Sequence, residues 1–118
     1  MEFFLNDPEV ARLPPDQTRL LDLHAEPYPD GRRLRVAMDL TPFLERPYLE
    51  LKLTDGSGAE AAVASIVEPM TWKLELTLHI RNPTSPGGKY TLLASLSYPD
   101  LGEVDRRQIT LDLPNPTE

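Results

Sequence analysis

The chain of 118 residues contains no cysteine and only two histidines, His24 and His79. The missing cysteines exclude disulfide frameworks, cysteine nucleophiles and cysteine-ligated zinc or iron–sulfur sites. Two histidines are too few for a histidine-rich metal site. The sequence therefore predicts no metal or other cofactor, and a chain of this length can bury enough surface to fold without one.

Basic charge is also scarce, since 12 lysines and arginines face 19 acidic residues and the net charge is −7. Nucleic acids and anionic membranes are bound by basic surfaces that offset phosphate charge. The basic pairs Arg32-Arg33 and Arg106-Arg107 form no patch on a strand, because neighbouring side chains point to opposite faces. We expect no nucleic-acid partner and no membrane partner.

Long apolar runs are missing as well. No run approaches the roughly 18–20 residues of a membrane-spanning helix. The N-terminus "MEFFLNDPEV" has neither the basic start nor the apolar core of a signal peptide. The expected location is the cytoplasm, although a signal peptide removed earlier would leave no trace in this sequence.

Turn-forming residues are abundant, with 13 prolines and 6 glycines spaced along the chain. Short segments of alternating apolar and polar residues lie between them, a pattern typical of an all-β sandwich or barrel. The predicted strands span residues 18–26, 32–40, 48–54, 59–68, 71–80, 89–98 and 107–113.

The fourth segment, 59–68, has two readings. "SGAE" at 57–60 matches a helix capping box, and alanine favours helix. Against this, Val63, Ile66 and Val67 are β-branched, and a strand keeps the rhythm of the chain. We favour a strand and keep the helix as the alternative.

The fifth segment carries His79 beside charged residues, which raises the question of an active site. Alternation places an apolar face inward, formed by Trp72, Leu74, Leu76, Leu78 and Ile80. His79 then shares the opposite face with Lys73, Glu75, Thr77 and Arg81. We interpret His79 as an exposed residue on the solvated face of a strand.

The connections predict the topology. Residues 26–33 and 98–105 read as hairpins and 54–59 as a turn, whereas the longer prolyl stretches 41–47 and 81–88 suit crossings between sheets. This order is that of a seven-stranded antiparallel immunoglobulin-like sandwich of two sheets. The expected division is an N-terminal arm at 1–17, the sandwich at 18–114 and a C-terminal tail at 115–118.

The stretch "SPGGKYTLLASLSY", residues 85–98, resembles the loop and sixth strand of fibronectin type III and bacterial immunoglobulin-like domains. The resemblance implies that Tyr90 bonds back to the preceding loop. The chain departs from these families because its only tryptophan, Trp72, lies in the fifth segment rather than the second, and because the cysteine pair of antibody domains is absent. The resemblance concerns architecture and does not indicate a function.

Catalytic patterns are weak. No glycine-flanked serine motif occurs, and carboxylate pairs such as Glu45 with Glu50 are common in acidic proteins. We therefore predict a protein that is not an enzyme.

Small-ligand binding is the alternative. "DGSGAE" at 55–60 and "DLGEVD" at 100–105 offer oxygen ligands for calcium, but turn geometry explains them equally. Carbohydrate binding would need exposed aromatic rings, yet aromatics make up only 7% of the chain. Trp72 and Tyr90 are expected in the core, and Tyr28, Tyr48 and Tyr98 at strand ends.

In an immunoglobulin-like sandwich one pole would be apolar, because three connections bring together Phe43, Leu44, Met70 and Leu101. The arm enters there with Phe3 and Phe4, either as a lid or as a second contact surface. We predict a non-catalytic interaction or structural module that docks a protein partner or a second copy of itself through these six residues. The alternative function is calcium or carbohydrate binding.

Overall fold

The computed structural model describes residues 11–80 and 88–113, and most of these residues lie in strands. The elements are a 3₁₀ turn at Pro15–Gln17 and the strands β1 (Leu20–Pro27), β2 (Arg33–Leu40), β3 (Tyr48–Thr54), β4 (Glu60–Val67), β5 (Lys73–His79), β6 (Gly88–Tyr98) and β7 (Gly102–Leu113). Within these ranges no helix is long and apolar enough to span a membrane. The division into arm, sandwich and tail stays a prediction, since residues 1–10 and 114–118 lie outside the described part.

The strands form two antiparallel sheets, β1-β2-β5 and β4-β3-β6-β7. This arrangement confirms the all-β sandwich of seven strands. The chain passes from one sheet to the other between β2 and β3 and between β5 and β6, as expected from the prolyl stretches. The short link between β4 and β5 also crosses, so β4 pairs with β3 instead of joining the smaller sheet.

Alternation along the strands builds the core. The inward side chains of β2 are at most 1% exposed and those of β3 at most 2%, and the central inward positions of β6, Leu92, Ala94 and Leu96, are 0% exposed. Burying each such leucine, valine or methionine contributes roughly 1.5–3 kcal/mol. His79 is exposed on β5, which confirms its assignment to the solvated face.

The fourth segment is a strand, so the helical alternative is wrong. β4 pairs with β3 from Tyr48 opposite Val67 to Thr54 opposite Glu60. Ser57 does not cap a helix: its hydroxyl and its N–H both donate to Oδ1 of Asp55, at 2.7 and 2.9 Å. The N–H of Ala59 donates to the same oxygen at 3.0 Å. The Asp55 carboxylate therefore closes a β3–β4 turn and removes the helix start.

The seventh strand begins at Gly102, ahead of the predicted start at Arg107. The N–H of Leu101 donates to the carbonyl of Tyr98 at 3.1 Å, and Gly102 takes a positive φ of 76°. This tight turn lets pairing with β6 begin at once. Polar residues fill the early part of β7, where Arg106 bonds Glu103 at 2.8 Å, so apolar alternation gave no sign of the strand there.

The expectation that Phe43 is a contact residue of the apolar pole requires a correction, because its side chain is buried in the core at 2% exposure. Its ring packs edge-to-face on Trp72 with centroids 6.0 Å apart and planes at 89°. The backbone of Phe43 also forms an isolated parallel β-bridge with Leu13. Phe43 therefore joins two of the connecting loops to the N-terminal segment and is not available as a contact residue on the surface.

The neighbours Phe43 and Leu44 make a matched test of this assignment. Phe43→Ala should lower the free energy of unfolding by about 3–5 kcal/mol, because it leaves a cavity against Trp72. Leu44→Ala should change it by about 0.5 kcal/mol or less, because Leu44 is 63% exposed. Urea unfolding followed by tryptophan fluorescence measures both, and equal effects would contradict the burial of Phe43.

Candidate functional site

Three connections meet at one end of the sandwich, which we call the apolar pole: residues 41–47, 68–72 and 99–101. Tyr48 at the start of β3 pairs with Val67 at the end of β4 and with Ser97 near the end of β6. In the other sheet, Asp39 near the end of β2 pairs with Lys73 at the start of β5. The register thus brings these connections together, as the immunoglobulin-like topology predicted.

Large apolar side chains are exposed on each connection of the apolar pole. Leu44 is 63% exposed, Met70 64% and Leu101 51%. The Nη1 atom of Arg46 lies 3.1 Å from the sulfur of Met70 and connects the first two loops. Of the predicted contact residues, these three lie at the surface of the pole, Phe43 lies in the core, and Phe3 and Phe4 fall outside the described residues.

The buried Tyr98 links several segments of the apolar pole through hydrogen bonds. Its hydroxyl donates to the carbonyl oxygen of Glu45 at 2.7 Å and lies 3.2 Å from Oγ1 of Thr18. Thr18 is fully buried and donates in turn to the carbonyl of Pro14 at 3.0 Å. Burial raises the pKa of Tyr98. One side chain therefore anchors the end of β6, the 41–47 loop and the N-terminal segment.

The role of Tyr98 was not predicted beyond a position at a strand end. The resemblance assigned the back-bonding tyrosine to Tyr90, which is buried near the start of β6 with a pKa raised mainly by burial. Its preceding loop lies within residues 81–87, outside the described part, so that bond stays a prediction. A tyrosine directly before the Pro-Asp turn was the available signal for Tyr98.

The described part of the N-terminal arm runs along the pole. The N–H of Leu13 donates to the carbonyl of Pro42, and the N–H of Leu44 donates to the carbonyl of Leu13, both at 2.9 Å. Leu13 is half-buried by this pairing. Leu44, Met70 and Leu101 nevertheless stay more than half exposed, and the predicted lid or contact role of Phe3 and Phe4 lies outside the described residues.

An open cavity of about 360 Å³ lies beside the exposed apolar residues. Its lining residues are Pro15, Asp16, Glu45, Tyr98, Pro99, Asp100 and Leu101. Three of them carry carboxylates and none carries a basic group. The apolar pole therefore combines an apolar surface with an acidic rim.

Two carboxylates of the predicted calcium loops, those of Asp55 and Asp105, accept hydrogen bonds from the backbone. Asp55 accepts three hydrogen bonds within its own turn. Asp105 Oδ2 accepts the N–H of Leu20 at 2.8 Å and thereby links β7 to β1. Within residues 11–80 and 88–113, no group of three or more histidine or acidic side chains is placed to hold a metal ion.

Aromatic rings in the described ranges are buried or half-buried. Tyr28, at the opposite pole, carries the guanidinium of Arg33 at 4.2 Å from its ring centroid. Trp72, Tyr90 and Tyr98 lie in the core, as predicted for the first two. None of these rings forms an open platform on which a sugar would stack.

No family model and no curated protein matches this chain. Solved structures are similar in fold. A glycosyl hydrolase family 2 member from Bacteroides cellulosilyticus matches with a TM-score of 0.60 and 14% identity over 80% of this chain. The β-glucuronidase of Parabacteroides merdae gives 0.58 and 13% over 81%, and that of Ruminococcus gnavus gives 0.55 and 15% over 80%.

The chain covers only 15%, 13% and 16% of these larger chains, respectively. Identities this low show the fold alone. The match is consistent with the immunoglobulin-like and fibronectin-like architecture that the sequence predicted, and it shows that the same architecture occurs as a small part of larger proteins.

Removing the Tyr98 hydroxyl tests its role at the pole. Tyr98→Phe should cost about 1–2 kcal/mol near neutral pH, because the Glu45 carbonyl loses a buried donor. Since burial raises the folded pKa of Tyr98, the unfolded chain ionises first above about pH 10, and stability falls as pH rises. Tyr98→Phe lacks the ionisable hydroxyl and does not lose this stability. The difference in free energy of unfolding between the unaltered chain and the variant should therefore shrink in alkaline solution.

Thr18→Val is the matched control, because it removes the neighbouring hydroxyl and keeps the ionisable tyrosine. Urea unfolding at a series of pH values between about 7 and 11 spans the range in which a tyrosine titrates. The control should retain the alkaline loss of stability. If the free energy of unfolding of Tyr98→Phe stays below that of the unaltered chain by the same amount at every pH, the coupling between burial and ionisation is contradicted.

Proposed function

We propose that this domain is a non-catalytic docking module and that the apolar pole is the surface that a second protein domain covers. The observation that carries the proposal is the exposure of Leu44, Met70 and Leu101 on converging loops of one end. Clustered apolar surface of this kind is a liability for an isolated domain and is typical of interaction sites.

The loops of the pole are anchored before any partner arrives. Phe43 packs on Trp72 beneath them, and Tyr98 holds the Glu45 carbonyl. Contact residues on anchored loops lose little conformational entropy on binding, which favours affinity. The arrangement therefore suits recognition of a preformed surface.

Charge indicates the kind of partner. Asp16, Glu45 and Asp100 surround the exposed leucine of the cavity, and Arg46 is the basic residue beside Met70. A complementary surface would present an apolar centre with a mainly basic rim. A second copy meeting pole to pole would oppose acidic rims in a chain of net charge −7, so we assign the pole to a different domain.

The fold comparison supports a role as part of a larger assembly. Its neighbours are glycosyl hydrolase family 2 chains, of which this architecture forms a small fraction. A domain embedded in such a chain must pack against others through part of its surface, and the apolar pole fits that requirement.

A photo-crosslinking residue placed at Met70 or Leu101 tests the docking proposal in cells that produce the protein. Both positions should capture the same partner, and the exposed Thr110 on β7 should not. The double variant Met70→Glu/Leu101→Glu should weaken that complex at least about 100-fold, as expected when two central apolar contacts are lost.

The double variant should keep its free energy of unfolding within about 1 kcal/mol, because both side chains are exposed. Isothermal calorimetry with the captured partner measures the affinity, and urea unfolding checks the fold. Equal capture at Thr110, or an unchanged affinity of the double variant, would contradict the proposal.

A carbohydrate ligand in the pole cavity is the second candidate, favoured by the similarity in fold to glycosyl hydrolases. Carboxylates of Asp16, Glu45 and Asp100 line the cavity and could accept hydrogen bonds from sugar hydroxyls. The same carboxylates would repel a uronic acid, so a neutral sugar fits better than a glucuronide.

Thermal unfolding with neutral disaccharides and with a glucuronide separates these outcomes. A ligand present at about 100 times its dissociation constant should stabilise the folded state by about 2.7 kcal/mol. The carbohydrate candidate predicts an upward shift with a neutral sugar that Asp100→Ala reduces. No shift at millimolar sugar would remove this candidate and leave the docking proposal untouched.

A further inference from the structure

The outer edge of β4 is unpaired by any strand within the described ranges, because β4 ends the four-stranded sheet. The N–H of Glu68 donates to the carbonyl of Pro47 at 3.0 Å, which marks this pair as hydrogen-bonded. Hydrogen-bonded pairs alternate along an antiparallel ladder. The backbone groups of residues 62, 64 and 66 therefore face β3, whereas those of Val63, Ser65 and Val67 face outward.

This edge differs in charge from the other edge strands of the two sheets. β1 carries Asp22 and Glu26, β5 carries Lys73 and Glu75, and β7 carries charges along much of its length. By contrast, residues 61–67, "AAVASIV", contain no charge and no proline. Charged residues and proline are the usual protection of an edge against pairing with another strand, so β4 is the unprotected edge.

We propose that β4 pairs with β4 of a second copy, antiparallel and about a twofold axis at Ser65. The two four-stranded sheets would then join into one continuous sheet of eight strands. Ser65 would face Ser65 of the second copy, and Val63 would face Val67 of the second copy on both sides of the axis. Val63 and Val67 are 41% and 60% exposed in the single chain, and this pairing would cover them.

The same register also completes the inner face. Ala64 and Ile66 are half-buried at the open side of the sandwich. About the Ser65 axis, Ala64 meets Ile66 of the second copy, which extends the apolar layer across the junction. An axis at Ala64 would instead place Glu60 opposite Glu68 of the second copy, and like charges directly opposite are unfavourable.

A second copy is the expected occupant because the segment complements itself. The net charge of −7 makes most faces of this chain repel their own kind, but the 61–67 segment contributes no charge to the contact. Pairing of like edges about a twofold axis is closed, and the remaining edges are charged, so association should stop at the dimer.

Ser65→Pro is the first test, with Ser65→Ala as its control. The Ser65 N–H faces outward, so proline should remove a donor to the second copy while sparing the β3–β4 ladder. One strand pair is smaller than the roughly 1,200 Å² buried in stable interfaces, so a weak, concentration-dependent dimer is expected. Sedimentation equilibrium should show a dissociation constant at least about ten-fold higher for Ser65→Pro and unchanged for Ser65→Ala.

Charge pairing tests the register and does not depend on the proline variant folding. Val63→Lys and Val67→Glu should each weaken the dimer, because each places a charge opposite a valine. The double variant Val63→Lys/Val67→Glu should restore it, since each lysine then faces a glutamate of the second copy. Within one chain the two positions are four residues apart on a strand, too far to pair with each other.

Circular dichroism should show the same β-sheet content in all variants. A chain that remains monomeric at millimolar concentration would overturn the proposal, as would a dimer that Ser65→Pro and the single charge variants leave intact. Failure of the double variant to restore the dimer would overturn the Ser65 axis. Leu44→Glu/Leu101→Glu, with both changes on the apolar pole and away from β4, should dimerise normally, and loss of its dimer would assign self-association to the apolar pole instead.

Discussion

With no cysteine to link them, the two sheets are held together by the apolar layer between them, and at one end by the packing of Phe43 on Trp72. This contact joins a loop of one crossing to a loop of another. Tyr98 adds a hydrogen bond from the larger sheet to the same crossing. Because Phe43 and Tyr98 turn inward and fix these loops, Leu44, which follows Phe43, and Leu101, three residues after Tyr98, are left facing solvent.

The apolar pole and the β4 edge differ in charge. The apolar pole has an acidic rim in an acidic chain, which disfavours self-association there and favours a partner with basic residues. The β4 edge carries no charge between residues 61 and 67, which permits a second copy.

Much of the fold was predictable because period-two alternation reports directly on which side chains a sheet buries. The strands of the core and the exposed face of His79 followed from it, and the turn and prolyl connections added the clustering of three connections at one pole. Alternation does not extend into loops, so the sequence could not distinguish inward Phe43 from outward Leu44. Alternation also missed the start of β7, where a positive-φ glycine and charge pairs determine the strand. It gave no sign of the hydrogen bonds of Tyr98, because they link residues far apart in sequence.

Oxidation of the methionines by dilute peroxide would test the docking surface most directly. Met70 is 64% exposed and Met38 only 1%, so in the purified chain Met70 should oxidise far faster, with Met38 as the internal reference. In cells that produce the protein, a partner seated on the apolar pole should protect the Met70 sulfur, and the protection should disappear on purification. Equal oxidation of Met70 in cells and in the purified chain would show that the pole is uncovered and would contradict its role as a docking surface.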